Sequence, residues 1–346
     1  MFRLSPLHLV LGFGALAACA EDRNPTQPES ATDAQPSVAV AEALASNTWT
    51  LKAAQPDFAF ANQASYGVMP DAAGNPVVYQ LGGRDDDGGS GAIVFEYRIA
   101  TNTWSFRGSD PRIYAFSTNG VARIGNRLYV SGGQTFAGGT RSTDGSFWAY
   151  NPVANTLTQK PTPPKLTSDG VSGVIDGKLY VLPGRCSSDY FPNPAYCETE
   201  SFRRLFRYNP ATNSWVTKKQ APHIHLAGAG GVINGKFYVA GGNGTNTLDR
   251  YDPATDTWQT LAPLPVGGFA RGTVMQGKLW VVVYHFYANQ GKTVPSAFVY
   301  NPATNAWTRK AAPKYGHSDI VAITWNGKPY LLALGGLGVP VELYAP

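Results

Sequence analysis

One eight-residue phrase recurs along this chain. YNPATNSW (208–215) returns as YDPATDTW (251–258) and YNPATNAW (300–307), after looser copies YRIATNTW (97–104) and YNPVANTL (150–157). Tyr and Trp stand seven positions apart in each copy, and Leu157 is the one replacement of the Trp. A second phrase precedes each copy, an alternating apolar run that usually ends in Gly-Gly. It reads PVVYQLGG to Gly83, NRLYVSGG to Gly133, GKLYVLPG to Gly184, GKFYVAGG to Gly242, GKLWVVVY to Tyr284 and KPYLLALGG to Gly336. A repeat of roughly 40 to 55 residues means a structure built by stacking one supersecondary unit on its copies.

The unit can be read physically. Alternating apolar residues ending in Gly-Gly describe a strand whose end needs positive φ or a close backbone approach. A variable loop leads to the strand that ends in the Tyr. Asn-Pro then sets a turn, with Asx and Thr side chains available to cap backbone groups. The Trp opens an outermost strand. Four strands make one twisted sheet, which buries its faces only against neighbouring sheets. Composition agrees, with 12% aromatic residues, 38 Gly, 26 Pro and only 15% charged residues.

Six Gly-Gly-type phrases imply six sheets, yet only five Tyr-to-Trp phrases are complete. The sixth stops at Tyr344-Ala345-Pro346, and its continuation stands near the other end as Ala45-Ser46-Asn47-Thr48-Trp49. The N-terminal strand is therefore expected to be the outer strand of the last sheet, which closes a ring and removes its free edges. The Gly-Gly doublet, Tyr and Trp at fixed spacing resemble the kelch repeat, over about residues 45–346. That resemblance implies an all-β fold, a six-bladed kelch β-propeller. Leu157, Pro183-Gly184 and Val283-Tyr284 depart locally from the pattern.

The first residues, MFRLSPLHLVLGFGALAACAED, carry Arg3, an apolar run and small residues, and read as an export signal rather than a lasting membrane span. Leu16-Ala17-Ala18-Cys19 resembles the lipobox of bacterial lipoproteins, which implies cleavage before Cys19 and lipidation of its sulfur. Buried acyl chains contribute roughly 0.8 kcal/mol per methylene. The expected organisation is a signal peptide at 1–18, a lipidated Cys19 with a disordered tether at 19–44, and the propeller at 45–346. The tether has little to bury and no aromatic residue. The expected address is the cell envelope, periplasm-facing or at the surface, with the outer membrane favoured. Cys186 and Cys197 are expected to form a disulfide, since neighbouring cysteines in an exported chain most often pair.

The formal charge of +5 is scattered, without a basic run or stacking platform, so no nucleic-acid partner is expected. Contact with a membrane is expected only through the lipid.

With strands running outward in each blade, the loops entering the inner strand and those after the Gly-Gly phrase emerge on one face. In kelch propellers this face commonly binds a ligand or partner. The residues there that suit ligand contact are Arg84, Asp169, Arg185, Tyr190, Phe191, His225, Arg271, His285 and His317. Aromatic rings can stack on sugars or anchor a protein, and a guanidinium can hold a carboxylate through two hydrogen bonds. The leading expectation is thus a binding module for a glycan or an envelope protein, without a cofactor.

A carbohydrate-acting enzyme is the alternative. Exported sialate mutarotases share the six-bladed kelch architecture, and anomer exchange needs an acid–base pair that Asp169, His225 and His317 could supply. Tyr284-His285 also resembles the Tyr-His copper ligands of galactose oxidase, which implies Tyr284, His285 and either His317 or His225 as candidate copper ligands. Imidazoles at these positions would suit zinc as well. A binding module should tolerate loss of one histidine, whereas an enzyme should lose turnover without His225 or His317.

Overall fold

The computed structural model describes residues 46–346 except 57–62, 85–90, 92, 111, 113–117, 138–139, 144–145, 166, 185–201, 243, 288–291 and 337. Among the described residues lie six four-stranded antiparallel sheets and one two-stranded ribbon. Blades 1 to 6 are numbered along the chain by their inner strands: Ser65–Pro70, Val121–Ile124, Val171–Ile175, Ala229–Ile233, Phe269–Met275 and Asp319–Trp325. Each inner strand contacts those of both neighbouring blades, and blade 6 contacts blade 1, so the ring is closed. The molecule is a six-bladed β-propeller.

A short hairpin joins the first two strands of most blades. Asp176-Gly177, Asn234-Gly235, Gln276-Gly277 and Asn326-Gly327 all have positive φ at both residues, the tight-turn geometry that suits strand twist. The faces of the blades are apolar, and the sheets meet in six buried clusters, each drawn from two adjacent blades. Leu248 of blade 4, for example, packs with Leu279 and Val281 of blade 5, and Tyr97 of blade 1 with Leu332 and Leu343 of blade 6. Stability therefore resides between blades rather than within them.

The recurring phrase is an inter-blade clamp. In blade 5, Asn305 at φ 50° accepts the Tyr300 hydroxyl (2.7 Å) and the N–H of Ala262 in blade 4 (3.0 Å). Trp307 Nε1 donates to the carbonyl of the same Ala262 at 2.9 Å. Asn102 with Trp104 grips both backbone groups of Ala53, and Asp256 with Trp258 grips those of Lys219. Where Pro161 offers no N–H, Trp215 takes its carbonyl at 2.7 Å and Asn213 keeps only the Tyr208 hydroxyl at 2.6 Å. The Leu157 side chain has no N–H to donate, and Asn155 there reaches Arg107 O through its own amide at 2.8 Å.

The closing strand Thr48–Ala54 pairs with Pro340–Ala345 and places Trp49 opposite Tyr344. The rings lie 5.1 Å apart, against 5.0 to 5.2 Å in the unbroken Tyr–Trp pairs. Asn47 accepts from the Tyr344 hydroxyl and Ala311 N–H, and Trp49 donates to Ala311 O. The split phrase is reassembled with its full set of bonds.

Candidate functional site

The six inner strands start around the axis and enclose a cavity of about 170 Å3 lined by residues of every blade. Counting seven residues back from the inner hairpin turn reaches Asp169 (from Asp176), Ala227 (from Asn234) and Asp319 (from Asn326), all on its wall. Gln63 N–H donates to Ser318 Oγ at 2.9 Å, so blades 1 and 6 share one lip. Ser65 and Thr118 hydroxyls lie 2.6 Å apart across blades 1 and 2. Gln63, Asp169 and Ala227 have φ between 52° and 53°. Strain of this kind at a cavity wall accompanies functional geometry in many proteins.

The Gly-Gly ends of the second strands position these loops. A Cβ on Gly132 would stand 2.0 Å from Thr167 O, and one on Gly184 would stand 1.9 Å from Asp169 O. These glycines thus let the second strands lie flush against the loops that present the cavity residues.

Arg271 is the wall's fixed cation. Its Nε donates to Ser318 O (2.6 Å), and one terminal nitrogen donates to Ala270 O (3.0 Å) and Ala227 O (3.3 Å). Those carbonyls belong to the blade 4, 5 and 6 segments around the cavity. Among the described residues no carboxylate lies within ion-pair distance of it.

Asp319 is its nearby anion. The carboxylate accepts Ile320 N–H at 2.8 Å and Tyr66 N–H at 3.4 Å. Desolvation pushes its carboxyl up to about 6 against the pull of Arg271 and those two N–H bonds. Asp169 accepts from Gln134 Nε2 and Ser168 Oγ, both at 3.3 Å.

Phe269 begins the inner strand of blade 5 and remains 49% exposed, an aromatic face two residues from Arg271. Of the sequence-expected residues, Asp169 and Arg271 meet at the cavity. Asp319, Gln63, Ser65, Thr118 and Ser318 join them, and the sequence reading had not singled out these five.

The histidines are placed elsewhere. His225 is wholly buried, with Nδ1 2.9 Å from Gly241 O and Nε2 3.1 Å from Asp249 Oδ2. Both ring nitrogens face oxygen acceptors. His223 Nδ1 reaches the same carboxylate at 2.9 Å. His317 is buried with Nε2 2.8 Å from Glu342, while its Nδ1 has no hydrogen-bond partner among the described residues. Burial raises both carboxyls, but hydrogen bonds and charge from these histidines and neighbouring donors bring Asp249 and Glu342 below the usual range.

The sequence carried a signal for these pairs. Two residues before the phrase Tyr, blades 1, 2, 3 and 5 have buried Phe95, Trp148, Phe206 and Phe298, whereas blades 4 and 6 have Asp249 and Glu342. The expected acid–base role of His225 and His317 at the cavity does not match their placement. Their imidazoles are buried on strand carboxylates.

A copper or zinc centre does not fit these residues. Tyr284, whose phenol burial pushes up, accepts His317 N–H at 3.2 Å. His285 Nδ1 lies 3.1 Å from Gly267 O. No group of three His, Cys, Asp or Glu among the described residues could hold a metal ion. Arg84 follows the Gly82-Gly83 doublet, half-buried, and does not line the cavity. Arg185, Cys186, Tyr190, Phe191, Cys197 and Cys19 lie outside the described residues.

Comparison with known proteins adds a motif. The Kelch motif model matches residues 115–164 and 228–265, which contain the strands of blades 2 and 4. The chain thus carries Kelch motifs on a six-bladed β-propeller. Kelch-like protein terF of Aspergillus terreus is 24% identical to it over 253 residues, 66% of this chain and 52% of that protein. Kelch-like protein 25 of Xenopus tropicalis is 25% identical over 268 residues, 73% of this chain and 42% of that one. A Kelch domain-containing protein of Sulfurisphaera tokodaii is 28% identical over 152 residues, 44% of this chain and 20% of that one. The chain thus spans about half or less of the length of these curated relatives. The solved structure of YjhT superposes on the kelch propeller with a TM-score of 0.63 at 18% identity, over 84% of this chain and 94% of that one. At that identity the likeness speaks for the fold alone.

Proposed function

We propose that this kelch propeller is an exported, lipid-anchored binding module of the cell envelope, whose axial mouth receives an acidic sugar at the end of a glycan. The observation that carries the reading is Arg271. A guanidinium held by carbonyls of three blades, without a carboxylate partner among the described residues, keeps a terminal edge for a planar anion. The hydroxyls of Ser65 and Thr118 and the polar ends of Gln63 and Asp169 suit sugar hydroxyls; Phe269, outside the cavity lining and exposed two residues before Arg271, offers a face for stacking by a longer glycan. Export and anchoring rest on the apolar leader and the LAAC stretch ending at Cys19.

The test is a glycan array probed with the full chain extracted in detergent. Retention on glycans ending in uronic or other acidic sugars, lost in Arg271→Lys, is the expected result. Equal retention on neutral glycans would remove the role given to Arg271. Metabolic labelling with palmitate, abolished by Cys19→Ser, tests the anchor separately.

A second reading, a sugar-converting enzyme, is favoured by Asp319 alone. A carboxyl titrating near 6 can both hold and release a proton near neutral pH. Accelerated anomer exchange of a bound sugar, followed by proton NMR and lost in Asp319→Asn, would establish it.

A further inference from the structure

The ionisable groups around the axial mouth are out of balance, and the imbalance bears on how an anion could enter. Arg271 is the fixed cation of the wall, and Asp319 stands next to it in a desolvated position. Among the described residues, Asp319 is stabilised by two backbone N–H groups, those of Ile320 and Tyr66, and by the charge of Arg271.

The remaining neighbours cannot take up charge in its place. From blade 1, the Tyr66 phenol donates to Gln55 Oε1 at 3.0 Å, and burial pushes it up. From blade 5, Tyr284 is raised as well, partly by the negative charge of Asp319. On its own blade, His317 is committed to Glu342, which also accepts the N–H groups of Lys314 (2.8 Å) and Tyr315 (3.0 Å). Asp169 of blade 3 is a second carboxylate on the same cavity wall.

A carboxylate seated on the open edge of Arg271 would therefore face two protein carboxylates with one guanidinium between them. Like charges brought together in a poorly solvated site disfavour ionisation of one of them. Desolvation already raises the Asp319 carboxyl against Arg271 and its two N–H donors, so it is the group that yields. Protonated, it turns from a repelling anion into a hydrogen-bond donor toward the ligand.

We propose that the axial mouth binds its anionic sugar together with one proton, the carboxylate on Arg271 and the proton on Asp319. This rests on the acidic-glycan reading above. One solvent proton is taken up per ligand bound and one is returned on release, with no covalent change. The site is thereby a proton-linked receptor, which fills in an acidified surrounding and empties as the pH rises.

The experiment uses glucuronate, with glucose as its neutral counterpart, titrated calorimetrically into the full chain in detergent at pH 5.5 and 7.5. Each pH is run in two buffers of different ionisation enthalpy, which reads proton uptake directly. Glucuronate should bind on the order of tenfold more tightly at pH 5.5, with uptake approaching one proton per site at pH 7.5. Asp319→Asn, which keeps shape and removes the titration, should bind glucuronate with the same affinity at both pH values and no proton exchange.

Wild-type binding of glucuronate that is independent of pH and of buffer would overturn the linkage and leave the acidic-glycan reading standing. Glucose binding as tightly as glucuronate would overturn the anion seat itself. An absence of binding to either sugar at both pH values would sink the linkage and the reading beneath it together. The wild-type buffer comparison needs no variant, so a poorly folding Asp319→Asn would not leave the matter open.

Discussion

Asp319 sits where a carboxylate is least comfortable, and its cost should be visible in stability before any ligand is known. Its folded carboxyl titrates near 6, above the ordinary aspartate value of 3.8, because burial disfavours the charge. The sign follows from linkage. A raised value means the folded state holds the proton better than the unfolded state does. The stability this confers is complete below 3.8 and is lost as pH rises through about 6. Asp319→Asn should therefore raise the unfolding midpoint at pH 7.5 and show a shrinking advantage toward pH 4, in thermal scans across that range. A gap between the two proteins that stays constant with pH would contradict the placement of this charge.

The residue scale is also where the sequence reading was weakest. Asp169 and Arg271 were readable because they stand in the loop or strand that opens an inner strand, and the topology alone brings them to the axis. His225 and His317 occupy the same kind of segment, yet a strand carboxylate from the same blade draws each imidazole into the wall. Loop position sets which face a residue reaches, while the partner it finds there depends on side chains distant in sequence. Asp249 and Glu342, standing where sister blades bury aromatic rings, were the visible trace of that partnership.

At the scale of the strand, the phrase Tyr-x-Pro-Ala-Thr-Asn-x-Trp was legible as a turn but not as a clamp. Its turn chemistry follows from Asx and Pro alone. Its grip on the preceding blade depends on a backbone residue some forty positions away, such as Ala262 for Asn305 and Trp307. Asn305→Ala removes the acceptor for both Tyr300 and Ala262 and puts at φ 50° a residue without the tolerance of Asn for the left-handed region. The expected loss is about 2–3 kcal/mol, from two hydrogen bonds and the left-handed backbone. Asn305→Asp should cost about 1 kcal/mol or less, because Asp256 makes the equivalent pair of contacts in blade 4. Urea unfolding of both variants separates the two effects. Equal losses would mean that the two hydrogen bonds kept by Asp contribute nothing measurable.

For the whole molecule, the ring is the unit of stability, and one of its joints is where the phrase is split. Each inner strand contacts those of the neighbouring blades, and among the described residues a buried cluster spans each joint, so a ring open at one point loses the cluster and clamp at that joint. The joint between blades 5 and 6 is held by Asn47 and Trp49, which reach Ala311 across it. Ser46 and Pro346 lie side by side, with a hydrogen bond of 3.1 Å between hydroxyl and carbonyl. The sequence made this closure legible because the split phrase keeps its spacing when Pro346 is followed by Ala45. A circular permutant that starts at Asp57, joins Pro346 to Ala45 and ends at Pro56 restores the phrase as one covalent stretch. It should unfold cooperatively, within about 1 kcal/mol of residues 45–346 in their natural order, since no contact is lost and only the connection moves. A variant lacking 45–54 leaves Tyr344 without Asn47 and Trp49 and bares the edge of Pro340–Ala345. That edge should recruit a second copy, seen as concentration-dependent association in sedimentation. If the truncated ring instead stayed monomeric with an unchanged midpoint, the outer strand would be a passive cover, and stability would have to be assigned to the inner strands alone.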